Sequence, residues 1–232
     1  MLTYNVNFGL VGDRDTVAAI RDADVDLALL QETNVGWERA LRAALSTRLP
    51  HMTFQNRGGG GGLAVLSRLP LAEVEFLKPT TSGWFPAARV VIETSFGNVQ
   101  ALSVHLHPPV SDTGSLIGGY IGTRGVRVDE IKGFFGKLSP GLPTLVAGDF
   151  NEEPDGDVTR FLLERGLVPA LPPDHPTWRW ATGVGTIRKQ LDHIMHDRRL
   201  ETVSWDIRVA GNSDHLPVIG IFQLAKTSPG RE

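Results

Sequence analysis

Apolar residues recur along this chain mostly with a period of two, interrupted by short stretches with a period near 3.6. Alternating or continuous apolar runs at 2–6, 25–30, 52–55, 63–67, 71–77, 87–94, 99–105 and 142–147 predict strands, and further runs at 190–196, 202–209 and 216–224 extend the series. Helical spacing marks 14–22, 36–49, 126–138 and 157–165. Asp13 stands where the first helix needs a cap, and Gly166 closes the last. Gly, Pro and Asn separate the strands between 52 and 105, as in an antiparallel meander.

Strands dominate and helices come singly between them. That order fits two packed sheets with helices on their outer faces. At 232 residues, with neither a composition shift nor a repeat, the chain reads as one domain over 1–224 followed by a polar tail from 225 to 232. The five consecutive glycines at 58–62 cannot form a stable regular element, because ordering them costs too much entropy. They read as a loose hairpin loop. No helix follows them, so the dinucleotide-binding glycine fingerprint does not apply.

The formal net charge of −3 disfavours a general nucleic-acid binder, which carries a basic surplus. With no cysteine, disulfides, thiolate metal sites and a Cys nucleophile are excluded. No run approaches the roughly 18 apolar residues that span a membrane. The first residues read as a strand rather than as a signal peptide, and the compartment stays open.

Chemistry concentrates at strand ends. Val146-Ala147-Gly148-Asp149-Phe150-Asn151 carries an apolar strand into a carboxylate and a carboxamide two residues apart. Extended backbone puts Asp149 and Asn151 on one side and sends Phe150 into the core. Asn5, Glu32 and His105 likewise close apolar strands, while Asp192-His193 and Ser213-Asp214-His215 open them. Polar groups beside core strands are costly unless they serve one another, so these sites point to a shared cleft. Ser213 reads as a hydrogen-bonding support, since no nucleophile elbow surrounds it. A zinc set of His105, His107, Asp149 and His215 is allowed by ligand type but lacks a helical His spacing.

Six pieces occur in order: Tyr4-Asn5-Val6-Asn7, Leu30-Gln31-Glu32, Ser103-Val104-His105, Gly148-Asp149-Phe150-Asn151, Leu191-Asp192-His193-Ile194 and Ser213-Asp214-His215-Leu216-Pro217. Weaker echoes are Leu63 to Arg68 and Thr177-Trp178. Together they resemble the endonuclease/exonuclease/phosphatase superfamily over nearly the whole chain, the fourth and sixth being the most specific. The resemblance implies a four-layer α/β/β/α sandwich of two mostly antiparallel sheets flanked by helices. It implies Glu32 as principal divalent-metal ligand, with Asn5 completing the shell directly or through water and Asp214 holding that ion or a second. Asp149 would orient or deprotonate the attacking water and Asn151 would bind a phosphate oxygen. His215, held by Asp192, would be general base or transition-state stabiliser. His105 would contact the phosphate or leaving group, as in the DNase I and sphingomyelinase branches; the abasic-site branch carries tyrosine there.

Oxygen ligands without thiols suit one or two Mg²⁺ or Mn²⁺ ions better than Zn²⁺. An Asp–His pair titrates near neutrality. The resulting expectation is hydrolysis of a phosphoester by an activated water, on a small or lipid-like diester. A non-specific nuclease and a silent binding module are the alternatives; nucleic acid is the less favoured partner. The intact polar set argues against the silent module. Arg124, with Arg127, is the cation expected to meet the substrate from the glycine-rich loop 108–127. Trp178, Trp180, Trp84 and Phe85 are expected at the cleft rim, with one tryptophan of the 178/180 pair packed.

Overall fold

The computed structural model describes residues 1–109 and 123–226. Most of the glycine-rich loop expected to meet the substrate, from 110 to 122, and the tail from 227 lie outside the described residues. Two six-stranded sheets face each other. The first contains β1 (Leu2–Asn5), β2 (Leu27–Gln31), β3 (His51–Gln55) and β4 (Leu63–Ser67), joined late in the chain by β13 (Leu200–Ile207) and β14 (Val218–Leu224), in the order β13-β14-β1-β2-β4-β3. The second contains β5 (Leu71–Leu77), β6 (Ala87–Thr94), β7 (Gly97–His105), β8 (Thr144–Asp149), β9 (Leu167–Pro169) and β12 (Asp192–Asp197), in the order β5-β6-β7-β8-β12-β9. The expected meander therefore divides: β3 and β4 stay in the first sheet, while β5 to β7 build the second. Two pairings, β1 with β2 and β7 with β8, are parallel.

Side-chain alternation sorts the core into three apolar layers. Leu29, Val65, Val90, Ala101, Ala147 and Val218 meet between the sheets. Leu30, Leu66 and Tyr4 face outward onto α1 (Arg14–Asp22) and α2 (Val35–Leu45), where Ile20, Trp37 and Leu41 cover them. Leu102, Val104 and Val146 face α3 (Arg124–Phe135) and α4 (Asp157–Glu164) through Ile131, Phe134, Phe161 and Leu162. The result is the expected α/β/β/α sandwich.

Helix ends follow local chemistry. Asp13 accepts the Thr16 N–H at 2.8 Å, as expected of a cap. α2 starts one residue earlier than its apolar spacing predicts because Asn34 caps it, accepting from Gly36 and Trp37. Gly166, at φ +84°, ends α4 in the left-handed conformation. Two elements escaped the sequence reading: β9 and the separate hairpin β10 (Trp178–Thr182) with β11 (Gly185–Lys189).

Candidate active site

The strand register carries the expected residues to one end of the sandwich. Asp149, at the end of β8, lies opposite His105 of β7 on one side and Asp192 of β12 on the other. Asn5 pairs with Gln31 across β1 and β2, which brings Glu32 just beyond the same end of the first sheet. An isolated bridge between Trp178 and His215 ties the last segment to the hairpin. Gly148 permits the close β7–β8 approach: its φ is +146°, and a Cβ there would lie 1.9 Å from the Val104 carbonyl oxygen.

Three non-glycine residues of the site adopt left-handed backbone: Asn7 at φ 60°, Glu32 at φ 61° and Asn151 at φ 51°. Such conformations cost about 1–3 kcal/mol each and persist where surrounding contacts hold them. Those contacts are present. Asn5 Nδ2 donates to Glu32 Oε1 at 3.0 Å and to Asp149 Oδ2 at 3.1 Å, and its Oδ1 accepts the Asn7 N–H at 3.1 Å. The carboxamide thus meets Glu32 as a donor. The Phe8 N–H reaches Glu32 Oε2 at 3.2 Å. Asn151 donates its backbone N–H to Asp149 Oδ1 and one side-chain N–H to the Leu106 carbonyl, both at 2.9 Å. Ser213 supports the site as expected, donating to the Asn5 carbonyl at 2.7 Å and accepting from the His215 N–H at 3.2 Å.

His215 Nδ1 is 2.8 Å from Asp192 Oδ2, and its Nε2 faces Asp149 Oδ2 at 3.6 Å. Burial pushes both partners towards neutrality. It raises Asp192 above the ordinary carboxylate range. It would lower His215, but Asp192 and then Asp149 outweigh it, and the imidazole is pushed up to about 10. The pair shares one proton. The imidazole, with a carboxylate at each ring nitrogen, is the side that keeps it. Burial alone would also raise Asp214; the charge of His215 and the N–H groups of Trp178 and Asn7 reverse this and hold it low. Trp178 Nε1 donates to Asp214 Oδ2 at 2.9 Å and Asn7 Nδ2 to Oδ1 at 3.2 Å.

The second imidazole is set by the glycine run. Gly59 to Gly61 form a 3₁₀ turn, not the loose loop expected, and Gly60 lies against Glu32 and His105. Its carbonyl accepts from His105 Nδ1 at 3.0 Å, so Nε2 is turned towards Asp149 at 3.5 Å and Glu32 at 4.0 Å. Phe85 stacks on the same ring, with centroids 4.2 Å apart.

Glu32, His105, Asp149, Asn151, Asp214 and His215 line a cleft of about 690 Å³ together with Lys189 and a set of apolar residues that includes Phe8, Phe85, Pro108, Trp178, Trp180 and Ile187. Of the expected rim aromatics, Phe85, Trp178 and Trp180 are there. Trp84 instead packs on His107, with centroids 4.0 Å apart. Arg124 is not among the described residues that line the cleft; its guanidinium pairs with Asp157 at 3.2 Å. Arg127 is buried and donates to Thr123 Oγ1 and the His107 carbonyl. With His107 outside the cleft, the four-residue zinc set does not converge.

The donor chemistry fits a hard divalent cation. Glu32, Asp149, Asp192 and Asp214 bring four carboxylates to one region, and none pairs with a Lys or Arg among the described residues. Asp149, Asp192 and His215 offer ligand atoms within 4.8 Å of one another. Asp192 and His215 are joined to each other by a hydrogen bond, whereas Glu32 and Asp214 border the cleft.

The family model described as Endonuclease/Exonuclease/phosphatase family matches residues 2–215. Among solved structures, D. rerio TDP2 complexed with single strand DNA product superposes with a TM-score of 0.74 at 14% identity, covering 96% of this chain and 97% of that one. An AP endonuclease from Archaeoglobus fulgidus gives 0.71 at 16%, covering 96% and 98%. Sphingomyelinase C from Streptomyces griseocarneus gives 0.62 at 21%, covering 94% and 97%. No curated protein matches. At these identities the structural likeness is one of fold, but the family match runs from the first strand through His215, and the chain belongs to the Endonuclease/Exonuclease/phosphatase family.

Proposed function

We propose that this chain is a divalent-metal-dependent phosphodiesterase acting on a small or lipid-like phosphoester. The observation that carries the reading is one cleft lined both by carboxylates and imidazoles and by aromatic and aliphatic side chains. The polar groups suit an anionic phosphorus centre; the apolar ones suit an apolar leaving group or tail.

Glu32 and Asp214 are the residues that would hold Mg²⁺ or Mn²⁺, which when bound neutralises charge on the phosphate and the departing oxygen. Asn5 keeps Glu32 and Asp149 in register. Trp178 and Asn7 do the same for Asp214. Asp149 orients the water and takes its proton. His215, already protonated, then serves as stabiliser of charge on a non-bridging oxygen, and Asp192 keeps it charged. The second side-chain N–H of Asn151 supplies a further donor to the phosphate, and His105 lines the cleft beside it. Attack in line by water needs no covalent enzyme intermediate.

The test is hydrolysis of bis(p-nitrophenyl) phosphate by chelator-stripped protein with Mg²⁺, Mn²⁺ or Zn²⁺ restored in turn, beside plasmid nicking. Ion-dependent turnover of the small diester without nicking supports the reading. Nicking with little small-diester turnover replaces it with a nuclease.

A further inference from the structure

The β10–β11 hairpin stands apart from both sheets and leaves its apolar residues uncovered. Val184, in its turn, is 101% exposed; Trp180 and Ile187, directly opposite each other, are 46% and 43% exposed. Three large exposed apolar residues on one short ribbon are an unusual concentration, since such residues are ordinarily scattered singly. On the other face Arg179 lies directly opposite Arg188, and neither makes an ion pair among the described residues. Like charges facing each other across a ribbon are unfavourable unless an anion relieves them.

The order of these residues along the ribbon is informative. Val184 is at the tip. Trp180 and Ile187 follow, and Arg179 and Arg188 lie one step further back. At a rise of about 3.3 Å per residue, the arginines sit roughly 13 Å behind the tip. An aliphatic tip, a tryptophan girdle and then cations is the sequence of environments met on entering a bilayer from acyl chain to anionic headgroup. We propose that this hairpin docks tip first on an anionic lipid bilayer. A nucleic acid would reward more cations and stacking rings than the ribbon carries, and would give Val184 nothing.

Trp178, Trp180, Ile187 and Lys189 also line the catalytic cleft. Docking would therefore bring the cleft mouth to the headgroup layer, where a phosphoester is within reach. That purpose rests on the functional reading above; the docking itself does not.

The experiment is co-sedimentation of the full chain with vesicles of phosphatidylcholine alone or with about 30 mol % phosphatidylserine. Partition to the anionic vesicles is expected. Val184→Asp and Arg188→Glu should each weaken it by at least about fivefold, the factor one basic residue contributes near an anionic surface. Both positions are exposed, so both variants should fold. Val184 lies outside the cleft, so V184D should hydrolyse soluble bis(p-nitrophenyl) phosphate like the parent. Equal partition of parent and variants, no partition to anionic vesicles, or variant-sensitive binding of a single-stranded oligonucleotide instead of vesicles would overturn the proposal. Vesicle binding without turnover of any diester would leave the docking standing and remove the catalytic reading.

Discussion

Replacing Asp192 by Asn tests whether His215 works as a cation. The substitution keeps size and a hydrogen-bond acceptor 2.8 Å from His215 Nδ1 but removes the negative charge. The imidazole stands at about 10 against an ordinary 6.5, a difference worth roughly 5 kcal/mol at 1.36 kcal/mol per unit. Burial opposes that rise and Asp192 contributes most to it. Without Asp192 burial pulls the ring's pKa down, since Asp192 is the largest of the groups that raise it. Loss of one preorganised donor to a developing oxyanion costs about a hundred- to a thousandfold in rate. The assay is kcat/KM for bis(p-nitrophenyl) phosphate against pH with the ion saturating. The parent's alkaline limb should lie above that of the variant, because Asp192 favours the protonated ring. The alkaline limb of D192N should begin at lower pH, and the gap should narrow at acid pH, where the variant's ring is protonated again. An unshifted alkaline limb in D192N would refute the assignment, as would a rate that rises with deprotonation of His215.

Other outcomes follow from single contacts. Burial lifts Glu130 from 4.5 to about 7, so the unfolded chain ionises first and stability falls as pH climbs between those values, by on the order of 3 kcal/mol. Glu130→Gln should be insensitive to that window, so chemical melts at about pH 5 and pH 8 should separate parent from variant only at the higher pH. Gly148→Ala forces a Cβ to 1.9 Å from the Val104 carbonyl at φ +146°; a loss of about 3 kcal/mol or more in urea melts, or insoluble protein, is expected. Trp178→Phe removes the indole N–H from Asp214; the ion concentration for half-maximal activity should rise about tenfold with kcat little changed.

Alternation made much of the architecture readable in advance. Leu63–Ser67 and Leu71–Leu77 form strands at the predicted bounds, the first as a continuous apolar run buried throughout and the second as an alternating run at the sheet edge. Phe150 is buried as expected, but Asn151 is left-handed at φ 51°, and its N–H bond to Asp149 Oδ1, not strand alternation, keeps those two together. What could not be read was backbone acting as a functional group. Gly60 serves through a carbonyl that every residue owns, and only the folded turn aims it at His105. Asn7 reaches Asp214 from a left-handed conformation set by its neighbours rather than by its own preference. Arg124 looked like a phosphate ligand because charge is visible in sequence, whereas its partner Asp157 is distant along the chain. The β10–β11 hairpin did leave a sign, an alternating Trp178-Arg179-Trp180 followed by Gly183 and Gly185, but without core burial the pattern resembles a rim loop.

The central claim is that Glu32 holds an ion on which hydrolysis depends. Calorimetric titration of Mg²⁺ or Mn²⁺ into chelator-stripped parent and Glu32→Gln, with bis(p-nitrophenyl) phosphate turnover followed on the same samples, tests it most directly. The parent is expected to bind the ion and to turn over only when it is present, and E32Q to lose binding and turnover together. Turnover that survives the chelator, or an E32Q protein that binds and hydrolyses like the parent, would contradict it.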